Sequence, residues 1–288
     1  MSDDTLSILK SATLRPASVP IGTAEPWQTV PLAGSGDDAA ALAEERLHAL
    51  ELARQGRLIV NTQTTPAAIE QYRRLAAVLY QAQENRNLKT ILVASTFAAE
   101  GKSLTCANIA LTLSESYRRK VLLVDADLRR PTLHDTFEIP NLAGLSDWLR
   151  GEGAGKMPLV EITPNLSLLP GGRPDPDPMG GLASERMKHL LAFAAERFDW
   201  VIVDTPPVAF LPDAHLLSAM VDTVVFVVAA GQTPAPAVQR AVEEVGRDRI
   251  IGVVLNRVES VTLNRYGQSA YYARYRYALP EGSRETRD

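Results

Sequence analysis

From Thr90 onward the chain repeats one pattern: a short run of apolar, mostly β-branched residues, then a longer amphipathic stretch, then another run. The runs are "TILVAS", "KVLLVD", "LSLL", "WVIVD", "TVVFVV" and "RIIGVVLN". They are apolar at nearly every position instead of every second one, which marks strands buried on both faces. The pattern predicts an α/β fold over residues 58–260, with a doubly wound, mostly parallel sheet flanked by helices. Upstream, Pro66 follows Thr65, and Ile69, Leu75, Val78 and Leu79 recur at helical spacing, so a helix is expected from about residue 65 to 84.

The flanks lack this alternation. Residues 1–36 are rich in Pro, Ala, Ser, Thr and Gly without a sustained period, and read as a flexible arm. "DDAAALAEERLHALELARQG" (37–56) starts acidic and ends in glycine, so the arm, residues 1–57, is expected to close with a helix. Residues 261–288 are polar and tyrosine-dense and read as a tail.

Composition narrows the function classes. With 288 residues and 45% hydrophobic content the chain can build a large core, and 6% aromatics makes that core aliphatic. The formal net charge of −4 gives no global attraction to nucleic acid, and no nucleic-acid partner is expected. Cys106 is the single cysteine, which excludes an internal disulfide and a multi-cysteine metal site, and it reads as a small core residue. His134, His189 and His215 are scattered without metal-ligand spacing. No window approaches the ~20 apolar residues that span a bilayer, and "MSDDTLSILK" lacks a signal-peptide core, so a cytoplasmic protein is expected.

The candidate chemistry begins at "ASTFAAEGKSLTCANIAL" (94–111), where Gly-Lys-Ser stands between an expected strand and an expected helix. That context fits a P-loop, in which consecutive backbone N–H groups and a helix N-terminus cradle phosphates. The N–H groups of Ala99, Glu100, Gly101, Lys102, Ser103 and Leu104 would form the cradle, Lys102 would reach the terminal phosphates, and the Ser103 hydroxyl would ligate Mg2+. ATP with Mg2+ is the expected cofactor. The loop is unusual: Thr96 occupies the first glycine position, and Ala98 and Ala99 follow. A non-glycine residue held left-handed costs about 1–2 kcal/mol.

Two more strand ends carry carboxylates. "VLLVDADLRRP" places Asp125 and Asp127, and "WVIVDTPP" places Asp204, where ligands collect in open α/β sheets. A lone Asp there reads equally well as a turn former. Three of them downstream of Gly-Lys-Ser point to a metal set of Ser103, Asp125 and Asp204, and to Lys102, Asp125 and Asp127 as the groups for phosphoryl and proton transfer. "GGRPDPDPMGG" (171–181) is turn-rich, a lid or simply a connection.

Taken in order, these motifs resemble those of the bacterial tyrosine kinases of capsule and exopolysaccharide biosynthesis. That family has a Pro-Gly-x-Gly-Lys-Ser/Thr loop, an apolar run ending in Asp-x-Asp-x-Arg (here Asp125, Asp127 and Arg129) and a third motif ending in Asp-x-x-Pro (here Asp204 and Pro207). A C-terminal tyrosine cluster closes the chain, here Tyr266, Tyr271, Tyr272, Tyr275 and Tyr277. The resemblance covers about residues 65–277. It implies ATP-dependent autophosphorylation of that cluster, nucleotide contacts from Arg129, and regulation of polysaccharide polymerisation and export. It also implies a membrane-anchored polysaccharide co-polymerase as activator, a tyrosine phosphatase, self-association into a ring, and recruitment to the inner face of the membrane.

Asn256 resembles the residue that meets adenine in related P-loop ATPases, and a turn-forming Asn reads nearly as well there. Two departures stand out. Ala98 and Ala99 replace the loop Pro and Gly, and the family's Glu-x-x-Arg-x-x-Arg assembly helix has Glu70 and Arg73 but Ala76 last. The alternative is a partition or septum-positioning ATPase, whose loop carries a signature lysine where this chain has Phe97.

Overall fold

The computed structural model describes residues 26–30, 58–59, 66–152 and 156–258. The expected helix at 37–56 and the five tail tyrosines lie outside the described residues. The strands are β1 (Trp27–Val30), β2 (Thr90–Ser95), β3 (Val121–Asp125), β4 (Met157–Thr163), β5 (Leu166–Leu169), β6 (Trp200–Asp204), β7 (Thr223–Ala229) and β8 (Ile250–Asn256). The helices are α1 (Pro66–Arg86), α2 (Lys102–Leu111), α3 (Leu133–Thr136), α4 (Leu145–Leu149), α5 (Met179–Leu182), α6 (Glu185–Arg197), α7 (Asp213–Ser218) and α8 (Ala235–Val245).

Among the described residues the strands form one eight-stranded sheet in the order β1-β4-β5-β3-β6-β2-β7-β8. Every pair is parallel except β4 with β5. This is the doubly wound sheet that the uniformly apolar runs predict. Alternate residues of each central strand feed opposite cores. Leu92, Leu122, Val201 and Phe226 pack under α6, α7 and α8 through Leu190, Leu217 and Ala241. Ile91, Leu123, Ile202 and Val225 pack under α1 and α2 through Leu79 and Ile109.

Two strands on one side of the sheet correct the sequence reading. β1 lies inside the segment expected to be a flexible arm, yet Trp27 is 4% exposed and meets the Phe193 ring edge-on at 4.9 Å. Four residues are too few to show a period, and what fixes them is nonlocal: parallel pairing to β4 and the bond from Met157 N to Pro26 O. β4 itself is interrupted by Pro158 and by exposed Glu161, so its apolar signal is broken.

In α1, Ala76 is fully buried and faces the same core as Leu79. Glu70 pairs with Arg73 at 3.9 Å and with Arg74 at 4.0 Å on the open surface, contacts worth little stability. The third position of the assembly motif therefore points inward and carries no group for a neighbouring copy.

The sheet order positions the site. β3, β6 and β2 lie side by side, Asp125 stands in register with Asp204, and Asp204 stands beside Val93, two residues before β2 ends. Three segments distant in sequence thus end at one point of the carboxyl edge, where the strand order reverses.

Candidate active site at the ends of β2, β3 and β6

After β2 the chain turns through residues 96–101 into α2. Ala99 has φ 64° and Gly101 φ 93°, so the loop has two left-handed residues flanking Glu100, and one of them is the alanine whose strain the sequence signals. No side chain caps the α2 N-terminus, which suits a helix end that receives an anion. Below it, the N–H and hydroxyl of Thr105 both donate to Gly101 O, at 2.9 and 2.8 Å, and fasten the loop to the first turn. Leu104 packs on the core beneath this turn.

Lys102 is 7% exposed and its Nζ lies 2.6 Å from Asp204 Oδ1 and 3.3 Å from Ser103 Oγ. Burial, the largest single influence, would lower the ammonium's pKa, but the charge and hydrogen bond of Asp204 together with its other neighbours, Asp127 among them, hold it above the usual lysine value. Cys106, one turn along α2, donates its thiol to the same Asp204 Oδ1 at 3.3 Å. Burial, reinforced by the Asp204 charge, raises that thiol well above its ordinary value and leaves it protonated and inert. Cys106 is thus a core residue, as its helix position suggests, with a polar contact that the sequence gives no sign of.

Asp125 is fully buried, and its Oδ2 accepts the N–H groups of Thr132 and Leu133, each at 2.9 Å. Burial first, then the neighbouring Asp204 charge, pushes its carboxyl up to about 8. Asp127, half-buried, accepts Arg130 N at 3.1 Å, and burial raises its pKa from the ordinary value in spite of the opposing Lys102 charge. Thr132 Oγ1 donates to Ser103 Oγ at 3.4 Å and links the β3 loop to the P-loop.

Arg129 pairs with a carboxylate on a distant helix. Its Nε and Nη2 meet the two oxygens of buried Asp213 at 2.8 and 3.2 Å, and Nη1 donates to Pro176 O at 2.5 Å. The turn-rich segment packs on the β3 loop: Asp175 N donates to Leu128 O at 2.8 Å, and Gly171 sits against Pro131 so closely that a Cβ would lie 2.8 Å from that ring. Asn256, at the end of β8, donates Nδ2 to Glu100 O at 2.8 Å and accepts Arg257 N at 2.9 Å.

The CobQ/CobB/MinD/ParA nucleotide binding domain family matches residues 91–279. Tyrosine-protein kinase YwqD of Bacillus subtilis is 31% identical over 221 residues, covering 76% of this chain and 92% of that one. The chain belongs to the bacterial tyrosine-kinase family. Tyrosine-protein kinase wzc of Salmonella typhi is 30% identical over 208 residues, 71% of this chain but 29% of that protein. Among solved structures, the kinase domain of the Escherichia coli tyrosine kinase ETK matches with a TM-score of 0.61 at 28% identity, covering 67% of this chain and 78% of that one.

The matched family is a nucleotide binding domain, and the buried carboxylates at the loop fit a cation beside the nucleotide. Asp125 Oδ1 and Asp204 Oδ2 are buried carboxylate oxygens with no hydrogen-bond partner, an arrangement that a hard cation relieves. Among the described residues no cluster of three His, Cys, Asp or Glu side chains forms a metal cage, and Mg2+ asks for none, since it takes its remaining ligands from water and phosphate.

Sequence reasoning missed the partners that hold the site: Thr132, Asp213 and the Glu100 side chain. "LPDAHLL" signals Asp213 only as a residue opening a helix.

Proposed function

We propose that this chain is an ATP-dependent protein-tyrosine kinase whose substrate is its own C-terminal cluster, Tyr266, Tyr271, Tyr272, Tyr275 and Tyr277. The observation that carries this reading is the convergence of Lys102, Asp125 and Asp204 on one P-loop, with two carboxylate oxygens left open for a cation. Phe97, where partition-type ATPases carry lysine, supports a kinase over a switch ATPase.

In this reading the N–H groups of residues 99–104 hold the phosphates of ATP, and Ser103, Asp125 and Asp204 hold Mg2+. Bound Mg2+ supplies neutralisation of the charge on the β- and γ-phosphate oxygens. Lys102 brings its charge from Asp204 to the transferring phosphoryl group. A tyrosine hydroxyl gives its proton to Asp127, whose raised pKa suits a base, while Asp125 shares the site from its buried position. The tyrosine oxygen bonds to the γ-phosphorus, the bond from that phosphorus to the β–γ bridging oxygen breaks, and ADP leaves. Arg129, tied to Asp213, fixes the backbone that carries Asp127.

The tyrosines are interleaved with Arg265, Arg274 and Arg276. Each phosphate adds roughly −1.5 to −2 charges at neutral pH, so several reverse the tail's sign and repel it from a carboxylate-rich site. Phosphorylation then releases the tail and dissociates self-assembled copies, and cycling by a tyrosine phosphatase paces polysaccharide export. Among the described residues no helix is long and apolar enough to cross a membrane. In this reading a membrane-anchored co-polymerase partner, as the family resemblance implies, recruits and activates the kinase.

Replacing all five tyrosines with Phe is expected to remove phosphotyrosine while leaving Mg-ADP binding and oligomer size unchanged. Light scattering before and after ATP should show the wild type dissociating. Persistent phosphotyrosine in the variant would overturn the substrate assignment, and an oligomer equally stable when phosphorylated would overturn the switch.

A further inference from the structure

We propose that the Glu100 side chain and Asn256 form a clasp that holds the P-loop in its nucleotide-binding shape, so that both act as positioning residues for nucleotide. The proposal rests on the nucleotide site described above and extends it to groups away from the phosphate cradle.

Glu100 is 3% exposed, and its carboxylate is directed into the joint between three segments. Oε2 accepts Phe97 N from within the loop at 2.8 Å, and Oε1 accepts Ala229 N at 3.4 Å and the Thr233 hydroxyl. Its own carbonyl accepts Asn256 Nδ2 at 2.8 Å, while Ala230 N donates to Asn256 O at 2.9 Å. The P-loop, the turn after β7 and the end of β8 are therefore joined through one residue. Asn256 presses directly on the loop, because a Cβ at Gly101 would lie 2.0 Å from its Nδ2.

The clasp sits where the loop most needs it. Glu100 is flanked by the two left-handed residues, Ala99 and Gly101. A glycine at 99 would adopt that conformation freely, whereas alanine resists it. The left-handed turn must be held from outside, and Glu100 is the residue between the two turns on which outside donors converge. A buried carboxylate is retained only where it is well satisfied, and here two of its three donors come from elements more than a hundred residues away in sequence. The N–H array is thereby aimed before nucleotide arrives, which cuts the ordering cost of binding.

Calorimetric titration of the full chain with Mg-ADP tests this without any phosphotransfer, so a failed kinase assignment and a failed clasp are separable. Glu100→Gln puts an amide N–H among N–H donors and is expected to weaken Mg-ADP about tenfold, with a similar loss for Asn256→Ala. Loss in the double variant should be less than the product of the two, since both open one clasp. Thr233→Val, which removes a single donor and preserves shape, is expected to weaken binding about threefold and carries the test if Glu100→Gln does not fold. In kinase assays the KM for ATP should rise more than kcat falls.

The decisive arm is rescue. Ala99→Gly added to Glu100→Gln should recover a large part of the loss, because glycine needs no clasp to turn left-handed. A merely structural role for Glu100 would not be rescued there. Affinity within twofold of wild type in Glu100→Gln and Asn256→Ala, or a loss that Ala99→Gly leaves untouched, would overturn the proposal.

Discussion

Lys102→Ala is expected to abolish phosphotyrosine formation, by on the order of a thousandfold or more, because it removes the charge that meets the transferring phosphate. Unlike a lysine that merely points into a cleft, Lys102 is buried in a 2.6 Å pair with Asp204. The same substitution should therefore destabilise the fold by about 3 kcal/mol, the usual result of leaving one partner of a buried pair uncompensated. Urea unfolding of the ligand-free proteins reads the second effect. Adding Asp204→Asn to Lys102→Ala should restore more than half of the lost stability and none of the activity. A Lys102→Ala protein as stable as wild type would show that the pair carries no weight in the fold, and unchanged phosphotyrosine would remove Lys102 from the mechanism.

Asp125→Asn should show the opposite combination, lost activity with a gain in stability. The amide keeps an acceptor for Thr132 and Leu133 N–H, but gives up the charge that would hold Mg2+. Phosphorylation should fall on the order of a hundredfold or more. Without ligand, the wild-type carboxylate is a liability, since burial and Asp204 lift its pKa from 3.8 to about 8. The folded state then holds a proton that the unfolded chain releases. Stability from this group is full below the unfolded value and is lost as pH rises through the folded one. Ligand-free wild type should thus lose stability between about pH 6 and pH 8, by at most about 1.4 kcal/mol per pH unit, and Asp125→Asn should lose less. Thermal melts across that range check the sign. Adding Mg-ADP should reverse the ranking by stabilising wild type more than the variant.

How much of this was legible in the sequence follows from which interactions are local. β2, β3, β6 and β7 are buried at every residue, so their apolar runs reported them directly. β1 and β4 lie toward one edge of the sheet, and their pairing depends on each other more than on pattern. Lys102, Ser103, Asp125 and Asp204 were legible because a parallel sheet delivers strand ends to one edge, which makes position after an apolar run a statement about space. The left-handed strain at Ala99 was legible for a similar reason, since the loop dictates the backbone and the residue type dictates the cost.

The supports were not legible. Glu100 meets Thr233, Asn256 meets Glu100, and Arg129 meets Asp213 across long stretches of chain, and no spacing rule encodes such meetings. Arg129 shows the limit most clearly: nothing in its motif signals the buried carboxylate of Asp213 that it meets.

The central claim is that the γ-phosphate passes to tyrosine and not to water. Purified protein incubated with ATP and Mg2+, then mapped by mass spectrometry, tests it most directly. The account predicts phosphate on tyrosines between residues 266 and 277, absent from Lys102→Ala. ATP consumed with release of inorganic phosphate and no phosphotyrosine would contradict it.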